Sequence, residues 1–403
     1  MTVAVLVAAL GYFVDLFDLI LFTVLRKPSL AALGVDAVTW GRLIINWQLT
    51  GMLLGGIVWG VMADRRGRIA VLFGSIVMYS VANLLNAFVV DPYTYSALRF
   101  IAGFGLAGEL GAGVTLVSEL LPTRSRGIGT TIVATVGLTG AVVAGLVGEA
   151  LTSAYPTHGW RAAYAIGGVL GLMLLALRVG LLESGIFRGV DVSVARGNIL
   201  MLLWPASRLW RFVRVILVGM PIWFAGGVLF VFSFEIGGAL GLDPGPSPGK
   251  VVIFAYVGVV LGDLASGLVS QYLRRRKPVI AGFMIAYALA ILALLRFGGH
   301  SHEVYYGLMV ILGASTGFWV LFVTVASEQF GTNLRATVTT SAPNFVRGAA
   351  VPILDVWLLS QSWLGIAMIP ATILVGLSCI AIGFTALMFM RESFDTDLDY
   401  IEH

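Results

Sequence analysis

Five charged side chains stand in this sequence where the surroundings are almost wholly apolar. The stretch GYFVDLFDLILF, residues 11–22, places Asp15 and Asp18 three residues apart. Arg99 and Glu109 interrupt a second apolar segment, and Arg347 lies in APNFVRGAA, residues 342–350. Asp15 and Asp18 are i,i+3 neighbours and share a helix face with Tyr12. Adjacent carboxylates disfavour each other's ionisation, so such a pair can hold one proton near neutral pH, as proton coupling requires. Glu109 is a second candidate for a titrating or substrate-contacting group. Arg99 is placed to balance a carboxylate or to bias its deprotonation, or else to snorkel to the interface. Arg347 offers a planar guanidinium that can hold a substrate carboxylate, or pair with Asp263 or Asp355.

These groups need elements to position them, and the composition says which. Of 403 residues, 59% are hydrophobic and 11% are charged, where soluble chains carry about a quarter charged. The protein is therefore an all-α polytopic membrane protein. Twelve segments have the ~20 mostly apolar residues that a spanning helix needs: 3–25, 44–63, 69–89, 96–119, 128–152, 162–182, 213–236, 250–272, 279–297, 304–327, 337–360 and 364–390. The first is read as a retained helix, because no basic stretch precedes it and no small-residue cleavage site follows. The single cysteine, Cys379, excludes a disulfide framework and a cysteine-based metal site. The four histidines form no ligand constellation, and no nucleotide loop or nucleophile triad is present. No cofactor is expected, and neither an enzyme nor a nucleic-acid binder.

Lys and Arg set the orientation. With both termini inside, 17 of the 25 fall on the inner side and six on the outer, with Arg99 and Arg347 within spans. That ratio places the termini in the cytoplasm of a cell whose inner membrane holds the protein. Arg26 and Lys27 locally oppose the rule. An ionised group at mid-bilayer costs roughly 2.5–3.5 kcal/mol, so Asp15 and Glu109, at similar depth, should face a cavity or a partner. The stretch WPASRLWRFVRV, residues 204–215, spaces Arg208, Arg211 and Arg214 like a helix lying on the inner face, or like the start of span seven.

The chain also repeats itself. SELLPTRSRGIGTT from Ser118 aligns without a gap on SEQFGTNLRATVTT from Ser327, 209 residues later, and the same offset sets ADRRGR (63–68) on YLRRRK (272–277). Two six-helix bundles follow, residues 1–182 and 213–403, joined by a cytoplasmic linker at 183–212. A duplicated bundle with midplane charge is the pattern of a secondary transporter. GVMADRRGR (60–68), RFIAGFGLAGE (99–109) and SELLPTRSRG (118–127) resemble the loop 2–3, helix 4 and helix 4–5 signatures of the major facilitator superfamily. The pairing of Asp15-Leu-Phe-Asp18 with Ala107-Gly108-Glu109 is closest to its metabolite:proton and aromatic-acid:proton symporters. That resemblance implies two pseudo-symmetric six-helix bundles and puts helices 1 and 4 on a central cavity. It links Arg99 with proton coupling.

The leading function is symport of a small anionic metabolite with protons by alternating access, performed by a monomer. Asp15, Asp18, Glu109 and Arg99 would serve the proton, and Arg347, Glu109, Tyr12, Trp223, Trp319 and Asn344 the substrate. Asp64, Arg65, Gly67, Arg68, Arg126 and Arg335 would form the inner gate, with Asp64 beside the positive end of helix 11. Rivals are a cation or drug exporter working as an antiporter, and a sugar transporter. Span seven holds neither the Gln nor the Asn that sugar sites favour.

Overall fold

A backbone in lipid must satisfy its own hydrogen bonds, and within one segment only a helix does so. The computed structural model describes residues 2–66, 68–120, 123–183, 202 and 204–394, with side chains at 5–62, 70–109, 133–179, 202, 204–331, 334 and 337–394. Six unbroken helices come first: α1 (Thr2–Ala32), α2 (Ala37–Arg66), α3 (Arg68–Asn86), α4 (Pro92–Leu120), α5 (Thr123–Ala154) and α6 (Gly159–Glu183). The second half repeats the count with breaks. Span seven is α7 (Ala206–Phe224), a π-helical stretch (Ala225–Phe230) and α8 (Ser233–Ala239). Spans eight and nine are α9 (Pro248–Leu273) and α10 (Lys277–Phe297). Span ten is α11 (His302–Thr316) with α12 (Trp319–Glu328), span eleven α13 (Thr332–Gly348) with α14 (Ala350–Ser362), and span twelve α15 (Met368–Met388).

Nine described segments are long and apolar enough to cross a membrane on that measure alone. The other three spans are α3, with a shorter apolar part, α4, which contains Arg99 and Glu109, and the broken α13–α14. Each break has a local cause. Pro221 precedes the π-helical stretch with its Gly226 and Gly227, Gly317 separates α11 from α12, and Pro343 and Gly348 precede the α13–α14 joint. Helix α7 begins at Ala206, seven residues before the expected start of span seven, so most of the WPASRLWRFVRV motif is its opening turns. The linker at 183–212 otherwise lies largely outside the described residues.

Two helix starts of the first bundle, those of α2 and α4, are capped by aspartates. Asp36 accepts from the Thr39 amide at 2.6 Å, and Asp91 from the amides of Tyr93 (2.9 Å) and Thr94 (2.8 Å). Bonds from Thr39 and from Thr94 hold these two carboxyls below their usual range.

In the first bundle α1 packs on α4, α5 and α6, and α3 on α4 and α6; in the second α7 packs on α13 and α15, and α10 on α11 and α15. The bundles meet where α5 lies on α9, and where α2 and α4 lie on α13. One crossing recurs in both halves. A Cβ at Gly51 or Gly55 of α2 would strike the carbonyls of Phe100 or Phe104 of α4, and one at Gly103 the carbonyl of Gln48. The counterparts are Gly258 and Gly262 of α9 against Val310 and Ala314 of α11, and Gly313 against Ala255. The duplication seen in the loops thus extends to backbone-to-backbone packing, of the kind small residues permit in membranes. Replacing Gly103 or Gly262 by Val is expected to destabilise the purified protein by about 1–3 kcal/mol, read as a lower melting temperature in detergent. Gly307→Val, with no atom within 4 Å of its Cβ, should be silent. Equal melting temperatures for all three would refute the close crossings.

Candidate functional site

Asp15 and Arg347, 332 residues apart, meet between the bundles. Arg347 Nη2 donates to Asp15 Oδ2 at 3.4 Å, and the two side chains are no more than 1% exposed. A charge-assisted bond of good geometry is about 2.7–2.9 Å, so this pair is loose. It is also incomplete: Arg347 Nε and Nη1 and Asp15 Oδ1 are buried without hydrogen-bond partners. Two indoles flank the guanidinium, Trp319 with its ring centre 5.9 Å from Arg347 Cζ and Trp223 at 6.0 Å, within reach of a cation–π attraction. Tyr12, one turn before Asp15, and Tyr256 of α9 both interact electrostatically with Arg347. The result is a buried cation with free donors between aromatic walls.

The expected pairing of Arg347 with Asp263 or Asp355 is not what the structure holds. Asp355 is taken by Arg42 Nε at 2.7 Å and Asn46 at 3.0 Å. Asp263 accepts from the Val320 amide at 3.1 Å, which caps α12 across the break in span ten. Its Oδ2 remains without a partner.

Asp15 and Asp18 still sense one another's charge, but they serve different neighbourhoods. Asp18 points into the first bundle, where a Cβ on Gly167 of α6 would sit 2.6 Å from its Oδ1. Arg99 braces that region: it donates to the Asp18 carbonyl (3.1 Å), to Asn83 (2.9 Å) and to Gln48 (3.2 Å). Arg99 is fully buried, so it does not snorkel. Glu109 forms a two-toothed pair with Arg178 of α6, Nη1 to Oε2 at 3.0 Å and Nη2 to Oε1. Gly11 of α1 lies against this pair, leaving no room for a Cβ. The sequence does not single out Arg178 as a partner, because a long basic side chain four residues from the expected end of span six ordinarily reaches the interface.

Asn344 donates to the carbonyl of Ala107 at 3.1 Å and so ties α13 to α4, with Gly56 of α2 packed on its side chain. At the end of the molecule bearing the α1–α2 turn, further contacts join the bundles. Arg26 donates to both oxygens of Glu235 (2.8 and 2.6 Å) and lies 4.5 Å over the Phe232 ring; Lys27 lies over the Phe234 ring; Ser247 bonds Glu149. Arg26 and Glu235 are 209 residues apart, the same separation as the repeated loop motifs. The side chains of Asp64, Arg65, Gly67, Arg68, Arg126 and Arg335 lie outside the described residues.

A family model, Major Facilitator Superfamily, matches residues 8–354. The chain belongs to that superfamily. It is 25% identical over 352 residues to a gentisate transporter of Corynebacterium glutamicum, covering 83% of this chain and 75% of that one. It is 28% identical over 375 residues to the niacin transporter NiaP of Acinetobacter baylyi, covering 79% and 82%. Against several further relatives the match spans less than half of their length. The crystal structure of a D-xylose-proton symporter superimposes with a TM-score of 0.71 at 17% identity, over 96% of each chain, which establishes the fold. The protein is a multi-pass membrane transporter of this superfamily, not an enzyme.

Removing one partner of a buried pair strands the other's charge, at a cost of about 3–5 kcal/mol, whereas replacing both is often neutral. Glu109→Leu and Arg178→Leu should therefore each lower the melting temperature sharply, and the double variant should recover most of the loss. Single variants as stable as the parent would mean that the pair does not form.

Proposed function

We propose that the protein is a symporter of a small aromatic carboxylate with a proton. The observation that carries this reading is the incomplete Asp15–Arg347 pair between Trp223 and Trp319. A carboxylate entering the site can take the free Nε and Nη1 donors, while its ring lies against the indoles. Gentisate and niacin, the solutes in the names of two relatives, support a planar acid of this kind. A sugar has no carboxylate to offer the free Nε and Nη1 donors.

Coupling then follows from charge. In the empty carrier Arg347 and Asp15 cancel one another. A substrate carboxylate satisfies Arg347 instead and leaves Asp15 as an uncompensated buried anion, which is strongly unfavourable until a proton neutralises it. Substrate and proton therefore bind together, and the site is electrically neutral both empty and loaded. Only those two states should cross between open-out and open-in forms, as alternating access requires. Asp15 is assigned as the group that exchanges the proton. Asp18 with Arg99, and Glu109 with Arg178, are assigned to holding α1, α4 and α6 in place. Asn344 is assigned to positioning α13, and Tyr12 to the aromatic wall.

The test is uptake into liposomes containing the purified protein, with labelled gentisate and nicotinate as probes. One anion with one proton moves no net charge, so a pH gradient should drive uptake and a membrane potential alone should not. Asp15→Asn mimics the loaded, protonated state: exchange of internal for external substrate should persist while net uptake is lost. Arg347→Gln should lose both, with binding weakened by about 2–5 kcal/mol. Net, proton-coupled uptake by Asp15→Asn would refute the scheme.

With both termini placed in the cytoplasm by the distribution of Lys and Arg, the contacts at the α1–α2 end form an outer gate that is shut. This accounts for Arg26 and Lys27: one is neutralised by Glu235 and the other lies on Phe234, so neither acts as a free topology charge. Asp64, Arg65, Gly67, Arg68, Arg126 and Arg335 are assigned, on their motifs, to the opposite gate. In a Cys379→Ala background, Arg26→Ala and Arg42→Ala should each speed labelling of Tyr256→Cys by an impermeant maleimide added outside cells, several-fold. Unchanged labelling would remove these residues from the gate.

A further inference from the structure

The motif at the start of α7 remains unused by the transport scheme, and it borders a cavity of about 650 Å³. We propose that this cavity binds the phosphodiester headgroup of an anionic membrane lipid. Arg211 and Arg214 of α7 line it together with Arg391, just beyond α15. Two acids also line it, but both are already engaged. Glu328 is held by Arg276 (3.1 and 3.4 Å) and by Ser393 (2.6 Å). Glu392 accepts from the backbone amides of Arg276 (2.8 Å), Lys277 (3.2 Å) and Ser393 (3.0 Å). Arg214 donates to the carbonyl of Phe389 at 3.1 Å, a neutral group that orients the guanidinium without cancelling its charge. Arg391 makes no side-chain hydrogen bond among the described residues, and Arg211 is oriented by the Gln329 carbonyl at 2.9 Å and the Phe330 ring. Several guanidinium groups lining one cavity suit the oxygens of a phosphate.

The frame around these cations is built rather than incidental. Lys277 Nζ holds the carbonyls of Met388 (3.1 Å) and Met390 (2.6 Å), and Gln329 holds that of Arg391 (3.0 Å), so the chain leaving α15 is pinned over α7. Level and surroundings then favour a lipid over a soluble phosphate. The cavity lies where two apolar spans, α7 and α15, have their ends on one side of the membrane, which is the depth of the headgroups. Its rim is apolar and outward-facing: Trp210 is 60%, Met388 61% and Phe389 68% exposed. A headgroup phosphate on the arginines would leave its acyl chains along this rim, with Trp210 at the interface where indoles collect.

Full-length protein in neutral detergent should be titrated with dihexanoyl phosphatidylglycerol, dihexanoyl phosphatidylcholine, glycerol 3-phosphate and inorganic phosphate, following melting temperature and tryptophan fluorescence. Only phosphatidylglycerol is expected to raise the melting temperature saturably, and Arg391→Gln or Arg214→Gln should each weaken its apparent affinity roughly fivefold. Arg391 is held through its carbonyl and makes no side-chain bond among the described residues, so its replacement leaves the described contacts intact and keeps the test sound should Arg214→Gln fail to fold. Equal protection by glycerol 3-phosphate or inorganic phosphate would overturn the lipid and leave a soluble-phosphate site. Protection by phosphatidylcholine, no protection at all, or protection unaltered in both variants would overturn the site itself.

Discussion

A charge buried in the middle of a membrane must meet its opposite, and how completely it does so distinguishes the parts of this molecule. Glu109 and Arg178 are matched tooth for tooth within one bundle, with Gly11 packed directly against them. Neither side chain is among the buried groups left without a partner, and the pair joins α4 to α6. Arg26 and Glu235 are nearly as well matched, but across the two bundles and at one end. That pair can break whole when the bundles part there and the freed groups meet water. Asp15 and Arg347 are matched poorly, across the bundles and in the middle. Free donors on a buried guanidinium are costly to keep unless something else uses them.

The two halves contribute differently to this centre although they share an ancestral pattern. The first half supplies continuous helices, and its carboxylate rides on α1. The second half supplies the broken ones: Trp223 stands just before the π-helical stretch, Trp319 opens α12, and Arg347 lies one residue from the end of α13. Breaks expose backbone groups that need partners, and Asp263 supplies one by capping α12. The same breaks let side chains leave the helical register and converge. The glycine crossings of α2 with α4 and of α9 with α11 show that the halves remain equivalent where the scaffold is made. They differ at the central pair: 209 residues beyond Asp15 stands Phe224, and 209 before Arg347 stands Leu138.

Much of this was legible in the residues, and the limits have physical reasons. Apolar runs of bilayer length give the spans, because hydrophobic thickness acts on each segment separately. The loop motifs give the duplication and the superfamily. Single charges such as Asp15 and Arg347 announce themselves because their insertion is unfavourable. Partnerships do not, since they depend on how distant segments pack. Arg347 could be matched with Asp355, Asp263 or a substrate on sequence alone, and the structure joins it to Asp15. Arg178 hid near a helix end, where a long basic side chain ordinarily reaches water, although it is buried. Arg26 was visible only as an exception to the charge rule, and the exception is resolved by a mate one repeat away.

Placing the loose pair at the centre and the tight pairs elsewhere has a mechanical consequence. When one bundle rocks on the other, contacts at the ends must be made and broken in alternation, whereas the centre moves least. Perimeter pairs such as Arg26–Glu235 and Arg42–Asp355 can therefore be strong in one state and hydrated in the other, without burying an orphan charge in either. A central pair has no such escape while the carrier crosses between its two open forms, because it is then enclosed by both bundles. Its only permitted changes are those that preserve neutrality, and exchanging Asp15 for a substrate carboxylate plus a proton is one of them. The proposed stoichiometry thus rests on where Arg347 sits rather than on any special property of the aspartate.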